Sequence, residues 1–170
     1  MKNEDKQIQA FQLIRKAEKF IERAAYPEAE LLLKDAIELD ATNPEGFYLL
    51  GEALCKQQKF GESIVSLEMA DILLPKNPEI IHLLGWASFM NGSIDEGRKL
   101  MELSLRQMPD EPRFLCDLAV LEMRENNNDT AFEYAKKAIN NDPNDPMAME
   151  VFQIVSQVRR VRNAYTNTVN

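Results

Sequence analysis

Prolines set the frame of this chain. Pro44, Pro78, Pro112 and Pro146 stand 34 residues apart, and Pro75, Pro109 and Pro143 repeat the same interval. Proline is excluded from a helix interior because it lacks an N–H and its ring clashes with the preceding turn. Two interleaved series with one spacing therefore cut the sequence into short helical segments of fixed length. In the first series the proline follows Asn43, Asn77 or Asp145, with Glu111 as a weaker version. Asparagine or aspartate before proline reads as an N-cap followed by the first helical position, where a missing N–H is harmless. The second series follows helical patterns and stops them.

Two helical patterns fit within each period. First helices are expected at about 44–57, 78–91 and 112–125, and second helices at about 60–73, 94–107 and 128–141. An earlier pair fits at about 5–24 and 27–40, with Pro27 opening its second helix, and a last helix runs from about 146 to 162. No segment shows sustained period-two alternation, so the chain is expected to be all-α without strands. Gly51 and Gly85 lie inside first helices, where glycine costs about 1 kcal/mol relative to alanine. They are explained if the two helices of a unit cross there so closely that a side chain would push them apart.

The phrasing resembles the tetratricopeptide repeat, a 34-residue helix–turn–helix unit. In the unit opened by Pro44, the residues Phe47, Leu50, Gly51 and Leu54 match the family's large–small–large signature. Leu67, Ala70 and Pro75 match in its second helix, with Ser63 in a small position usually held by alanine. The next unit offers Ile81, Leu84, Gly85, Ser88, Gly97 and Met101, and the third Leu115, Leu118, Ala119, Ala131, Ala135 and Ala138. The first unit is the least regular, and its Lys16 stands where a large apolar residue is expected. The resemblance implies a right-handed α-solenoid whose units each bury a face on the next. The units are expected at about 10–43, 44–77, 78–111 and 112–145, as a single array over 1–162 with a capping helix at 146–162 and a frayed tail at 163–170.

In this family the first helix of each unit lines the concave side. Helical periodicity then selects the residues pointing into the groove. From the first unit these are Phe11, Ile14, Glu18, Ile21 and Glu22. The later units give the candidate partner-binding set: Tyr48, Glu52 and Cys55; His82, Trp86, Phe89 and Met90; Cys116, Val120 and Met123. The middle and C-terminal groove is expected to be apolar, and apolar patches with aromatic and methionine side chains favour partner contact. Acids crowd the other half, at Glu18, Glu22, Glu45, Glu52 and Glu79. A protein or peptide with apolar and basic character complements such a groove. The alternative reading places Trp86 and Phe89 between repeats as core and leaves the acids as a solvated face. Family members that clamp a terminal carboxylate use Lys, Asn and Arg, but the corresponding positions here include Ile14, Glu18, Leu49, Glu79 and Leu83.

The net charge of -8 opposes nucleic-acid binding, which needs excess cations to neutralise phosphates. One histidine, two distant cysteines, and neither a Gly-rich phosphate loop nor an HExxH motif leave no basis for catalysis, a metal or a cofactor. There is no apolar run of roughly 18 residues to span a membrane, and MKNEDKQIQAFQLIRK has no secretory-type apolar stretch. A cytoplasmic protein with Cys55 and Cys116 as plain thiols is expected. The sequence also shares size and acidity with the small tetratricopeptide chaperones of bacterial type III secretion.

The last helix stands apart. Met147, Val151, Ile154, Val155, Val158 and Val161 form one apolar stripe, and Arg159, Arg160 and Arg162 follow the final acid, Glu150. The stripe can be the docking face, extend the groove, or pair with another copy through its arginines. The leading functional expectation is a scaffold or chaperone that holds a peptide or helix in its groove. The alternative is a structural protein that self-assembles through residues 146–162.

Overall fold

The computed structural model describes residues 3–169, with side chains through 162 and at 164. The described residues form helices and no strand. The helices are α1 (Asn3–Ile21), α2 (Tyr26–Leu39), α3 (Pro44–Lys56), α4 (Phe60–Leu73), α5 (Pro78–Met90), α6 (Ile94–Gln107), α7 (Pro112–Arg124), α8 (Asn128–Asn141) and α9 (Pro146–Val169). Both proline series fall at helix boundaries, as the spacing predicts. One boundary differs. The tail expected to fray after residue 162 continues as helix to Val169, and residues 163–169 contain neither proline nor glycine to stop it.

The caps act as their chemistry dictates. Asn43 Oδ1 accepts the Glu45 N–H at 3.0 Å, and Asn77 Oδ1 accepts those of Glu79 and Ile80 at 2.9 and 3.2 Å. Asp145 Oδ1 accepts the Ala148 N–H at 2.6 Å, whereas Glu111 makes no side-chain cap bond. The joint inside each hairpin also recurs at the repeat interval. Ala24, Gln58, Gly92 and Asn126 all have positive φ, between 55° and 96°. At each, the following N–H bonds back five residues: Ala25 to Phe20, Lys59 to Leu54, Ser93 to Ser88 and Asn127 to Glu122. This is the left-handed Schellman ending of a helix, built four times with only one glycine.

Packing divides the chain into two compact units, Met1–Leu100 and Met101–Asn170, with the boundary inside α6. In the first unit α1 to α5 pack each on the next, and α3 also touches α1 and α5. Its core joins Ile14, Ala17, Leu33, Leu50 and Leu54, each worth about 1.5–3 kcal/mol when fully buried if large. Gly51 sits where α3 meets α4: a Cβ there would lie 2.5 Å from Leu67 Cγ. Gly97 of α6 plays the matching part against α5, since its Cβ would stand 2.7 Å from both the Gly85 carbonyl oxygen and the Phe89 nitrogen. In the second unit α7, α8 and α9 pack on one another around Leu115, Ala119, Ala135, Val151 and Val155.

A polar knot ties α2 to the joint between α3 and α4. Glu30, 8% exposed, accepts from Lys34 Nζ at 2.6 Å, Lys59 Nζ at 2.8 Å and Gln57 Nε2 at 2.9 Å. Burial alone pushes its carboxyl up, but these hydrogen bonds outweigh burial and bring it down to about 2. The Lys59 ammonium is held above its ordinary value by the same bond.

Candidate binding surface

Helices α3 and α5 of the first unit bring four of the ten expected contact residues to the surface. Tyr48 and Glu52 on α3 and Trp86 and Met90 on α5 are half-buried, each presenting part of its surface. On α1, Phe11 is exposed, and Glu18 and Ile21 are half-buried. The Trp86 ring lies 5.6 Å from the Phe89 ring, tilted by 59°. Its inner side packs on the cluster of Cys55, Leu67 and Ala87. Trp86 is thus part core and part surface, combining the two readings its position allows.

Four expected contact residues are interior. Cys55, His82, Phe89 and Cys116 expose 8%, 2%, 1% and 0%. Ile14, expected in the groove on α1, exposes 1%. Periodicity alone treats first helices as parallel rods with an open side. Instead Cys55, in the last turn of α3, packs with Leu67 of α4 and Ala87 of α5. Phe89 lies at the α5–α6 crossing that Gly97 permits. His82 shares the inward side of α5 with Gly85 and Phe89, three and seven residues further on. In the second unit α9 covers α7, and Cys116 packs in the cluster containing Ala148, Val151 and Val155. Burial, with the nearby charges of Asp117 and Asp145, pushes its thiol up to about 12. Val120 and Met123 are half-buried against the same cluster.

The N-terminal turns of α3 and α5 leave a cleft of about 310 Å³. Pro44, Tyr48, Leu74 and Ile80 supply apolar wall, and Glu45, Glu79 and Asn77 supply polar groups. Helix N-termini attract anions. Here each first turn already carries its own carboxylate, Glu45 or Glu79. The cleft therefore sets an apolar wall beside two carboxylates. Leu74 and Ile80 are absent from the sequence reading of the site. The signal available was Leu74 itself, an apolar residue beside a helix-stopping proline, which is 44% exposed.

The second unit holds a larger depression of about 720 Å³ between α8 and α9, lined by Phe132, Phe152, Gln153, Ser156, Gln157, Arg159 and Arg160. The Arg159 guanidinium covers the Phe132 ring at 4.3 Å. Arg159 and Arg162 both reach Asp129 of α8 at 3.0 Å. These two arginines thus have an acid within their own chain, where one of the three readings of the last helix had them meet the acids of a neighbouring copy. On α9, Val151 and Val155 dock while Met147, Ile154, Val158 and Val161 stay exposed, so the apolar stripe is split between two faces. Among the described residues no group of His, Cys, Asp and Glu could hold a metal ion, and no helix is long and apolar enough to cross a membrane.

No protein-family model matches the sequence, and a search of curated proteins finds no significant match. Solved structures do match. The Cut9–Hcn1 hetero-tetramer of the APC/C is similar at a TM-score of 0.78 and 14% identity, over 86% of this chain and 30% of that one. This chain therefore spans about three-tenths of the Cut9–Hcn1 chain it matches. TTC0263, a thermophilic tetratricopeptide protein of Thermus thermophilus, gives 0.77 and 17%, covering 85% and 80% of the two chains. YrrB, a tetratricopeptide protein with an unusual peptide-binding site, gives 0.70 and 22%, covering 85% and 74%. The fold is that of tetratricopeptide-repeat proteins.

Proposed function

We propose that this chain is a protein-interaction module whose α3–α5 wall binds a partner segment with apolar and basic character, as a scaffold or chaperone. The observation that carries this reading is the cleft at Pro44, Tyr48, Leu74 and Ile80, with Glu45 and Glu79 among its lining. Its apolar wall takes the stem of a lysine or arginine, or a neighbouring apolar residue, and the carboxylates orient the charge. The exposed parts of Trp86 and Met90, on α5, provide further apolar contact. YrrB has a peptide-binding site on the same fold, which supports binding over catalysis as the role. Cytoplasmic residence is part of the proposal. Neither Cys55 nor Cys116 forms a disulfide, which suits a reducing compartment.

Selection of displayed random peptides against the purified chain tests the reading. Enriched peptides are expected to pair an apolar residue with an adjacent lysine or arginine. Tyr48→Ala should weaken their binding by roughly tenfold or more, and Glu79→Gln should reduce its dependence on salt. Enrichment of acidic peptides, or none at all, would discard the proposal.

A further inference from the structure

Helix α4 carries an outward apolar face that its repeat does not require. Val65, Met69 and Ile72 recur at i, i+4 and i+7, on one side of the helix, and are 61%, 37% and 70% exposed. The same positions in the preceding unit hold Leu31, Asp35 and Glu38. In the two following units they hold Lys99, Leu103 and Arg106, then Glu133, Lys137 and Asn140. Of these four second helices, α4 alone is apolar at all three. Its inward face buries Leu67 and Ala70 together with Ser63 and Ser66. A helix that is apolar on both sides belongs between two partners, and α4 has the rest of its unit on one side only.

The chain holds a second exposed row of the same spacing. On α9, Ile154, Val158 and Val161 again stand at i, i+4 and i+7 and are 43%, 37% and 65% exposed. Each row is about 10 Å long at the rise of an α-helix. The charges around them are opposite. Exposed Glu62 and Glu68 border the α4 row on either side. The α9 row lies in the stretch after Glu150, which has no acid and contains three arginines. Arg159 and Arg162 pair with Asp129 through exposed contacts, which hold them beside the row without removing their positive field.

We propose that the α9 row of one copy docks on the α4 face of a second copy. The two surfaces differ, and the assembly is the open head-to-tail form, in which one such contact joins each pair of copies. A pair of copies retains one vacant α4 face and one vacant α9 row, and growth continues beyond two. Rows of three side chains cover less than the roughly 1,200 Å² of a stable interface. Association is therefore reversible and concentration-dependent.

Sedimentation velocity of the full chain from about 10 to about 500 µM, at roughly physiological salt, tests this. The weight-average sedimentation coefficient should rise across the range without a plateau at the dimer. Ile72→Glu and Val158→Glu should each remain monomeric, with unchanged circular dichroism because both sites are exposed. An equimolar mixture of the two variants should form dimers and nothing larger, since each supplies the surface that the other lacks. A wild-type chain that stays monomeric overturns the proposal. So does undiminished growth in either variant, or a mixture that fails to pair.

Discussion

Ser63 donates a 2.7 Å hydrogen bond from its Oγ to the carbonyl oxygen of Gly51, joining α4 to α3. The Cys55 sulfur lies 3.2 Å from the same hydroxyl. With the serine proton already committed, the thiol acts as donor to the serine oxygen. The seam between these helices thus depends on small residues: a glycine that admits Leu67, and a serine that bonds across.

Gly51→Ala is therefore expected to lower stability by roughly 2–3 kcal/mol, although alanine is the better helix former. The added methyl would meet Leu67 Cγ at 2.5 Å. Urea denaturation measures the loss. Leu67→Ala in the same chain should give a double variant less destabilised than the sum of the two, because both changes act on one space. Strict additivity would show that this contact is not the cause.

The hairpin joints make a second expectation. Gln58 adopts a φ of 61° and Gly92 a φ of 96° at equivalent positions. Side chains disfavour this region and glycine does not. Gln58→Gly should raise stability by about 0.5–1 kcal/mol, the relief being partly offset by the freer unfolded chain, and Gly92→Ala should lower it by about 1 kcal/mol. Chemical denaturation midpoints, compared at constant slope, decide the sign of each.

Glu30 predicts how acid weakens the protein. Its carboxyl is held at about 2 in the folded state, below the ordinary 4.5. A depressed carboxylate contributes stability that is fully present above its unfolded value and is lost as the pH falls through the folded one. The loss should therefore run from about pH 4.5 down to about 2. Glu30→Gln should cost roughly 1–2 kcal/mol at neutral pH, a moderate figure because both lysines are partly solvated. It should also flatten the stability profile within that window. Denaturation midpoints at a series of pH values read both effects.

Phe89 and Tyr48 should separate core from surface. Phe89 is 1% exposed, and Phe89→Ala should cost about 3–5 kcal/mol of stability. Tyr48→Ala should cost about 1–2 kcal/mol and act mainly on peptide binding. Trp86, packed on one side and open on the other, should show both effects. Thermal unfolding beside a peptide titration distinguishes the three.

Helix boundaries were legible because prolines and caps are local chemistry. Asn43, Asn77 and Asp145 need only their own backbone to act. The site was legible only in part. A helical wheel places Cys55 and Tyr48 on one side of α3, and that is correct for the isolated helix. It contains no information about how α4 and α5 pack on α3, where Cys55 meets Leu67 and Ala87 while Tyr48 lies beside a cleft. The joints at Ala24 and Gln58 are illegible for a different reason. Hydrogen bonds back to Phe20 and Leu54 impose a left-handed turn on residues that do not announce one.

The distribution of side chains around α4 means that greasiness alone cannot tell this rod which way to turn. A half rotation about its axis would hide Val65, Met69 and Ile72 but lay Leu67 and Ala70 open beside two hydroxyls, so oil-and-water sorting would gain little by it. What forbids it is shape and a single proton. Leu67 fills the notch at Gly51, and Ser63 answers that carbonyl. The orientation of this helix is keyed by Leu67 and one hydroxyl, and Val65, Met69 and Ile72 are left over for an outside contact.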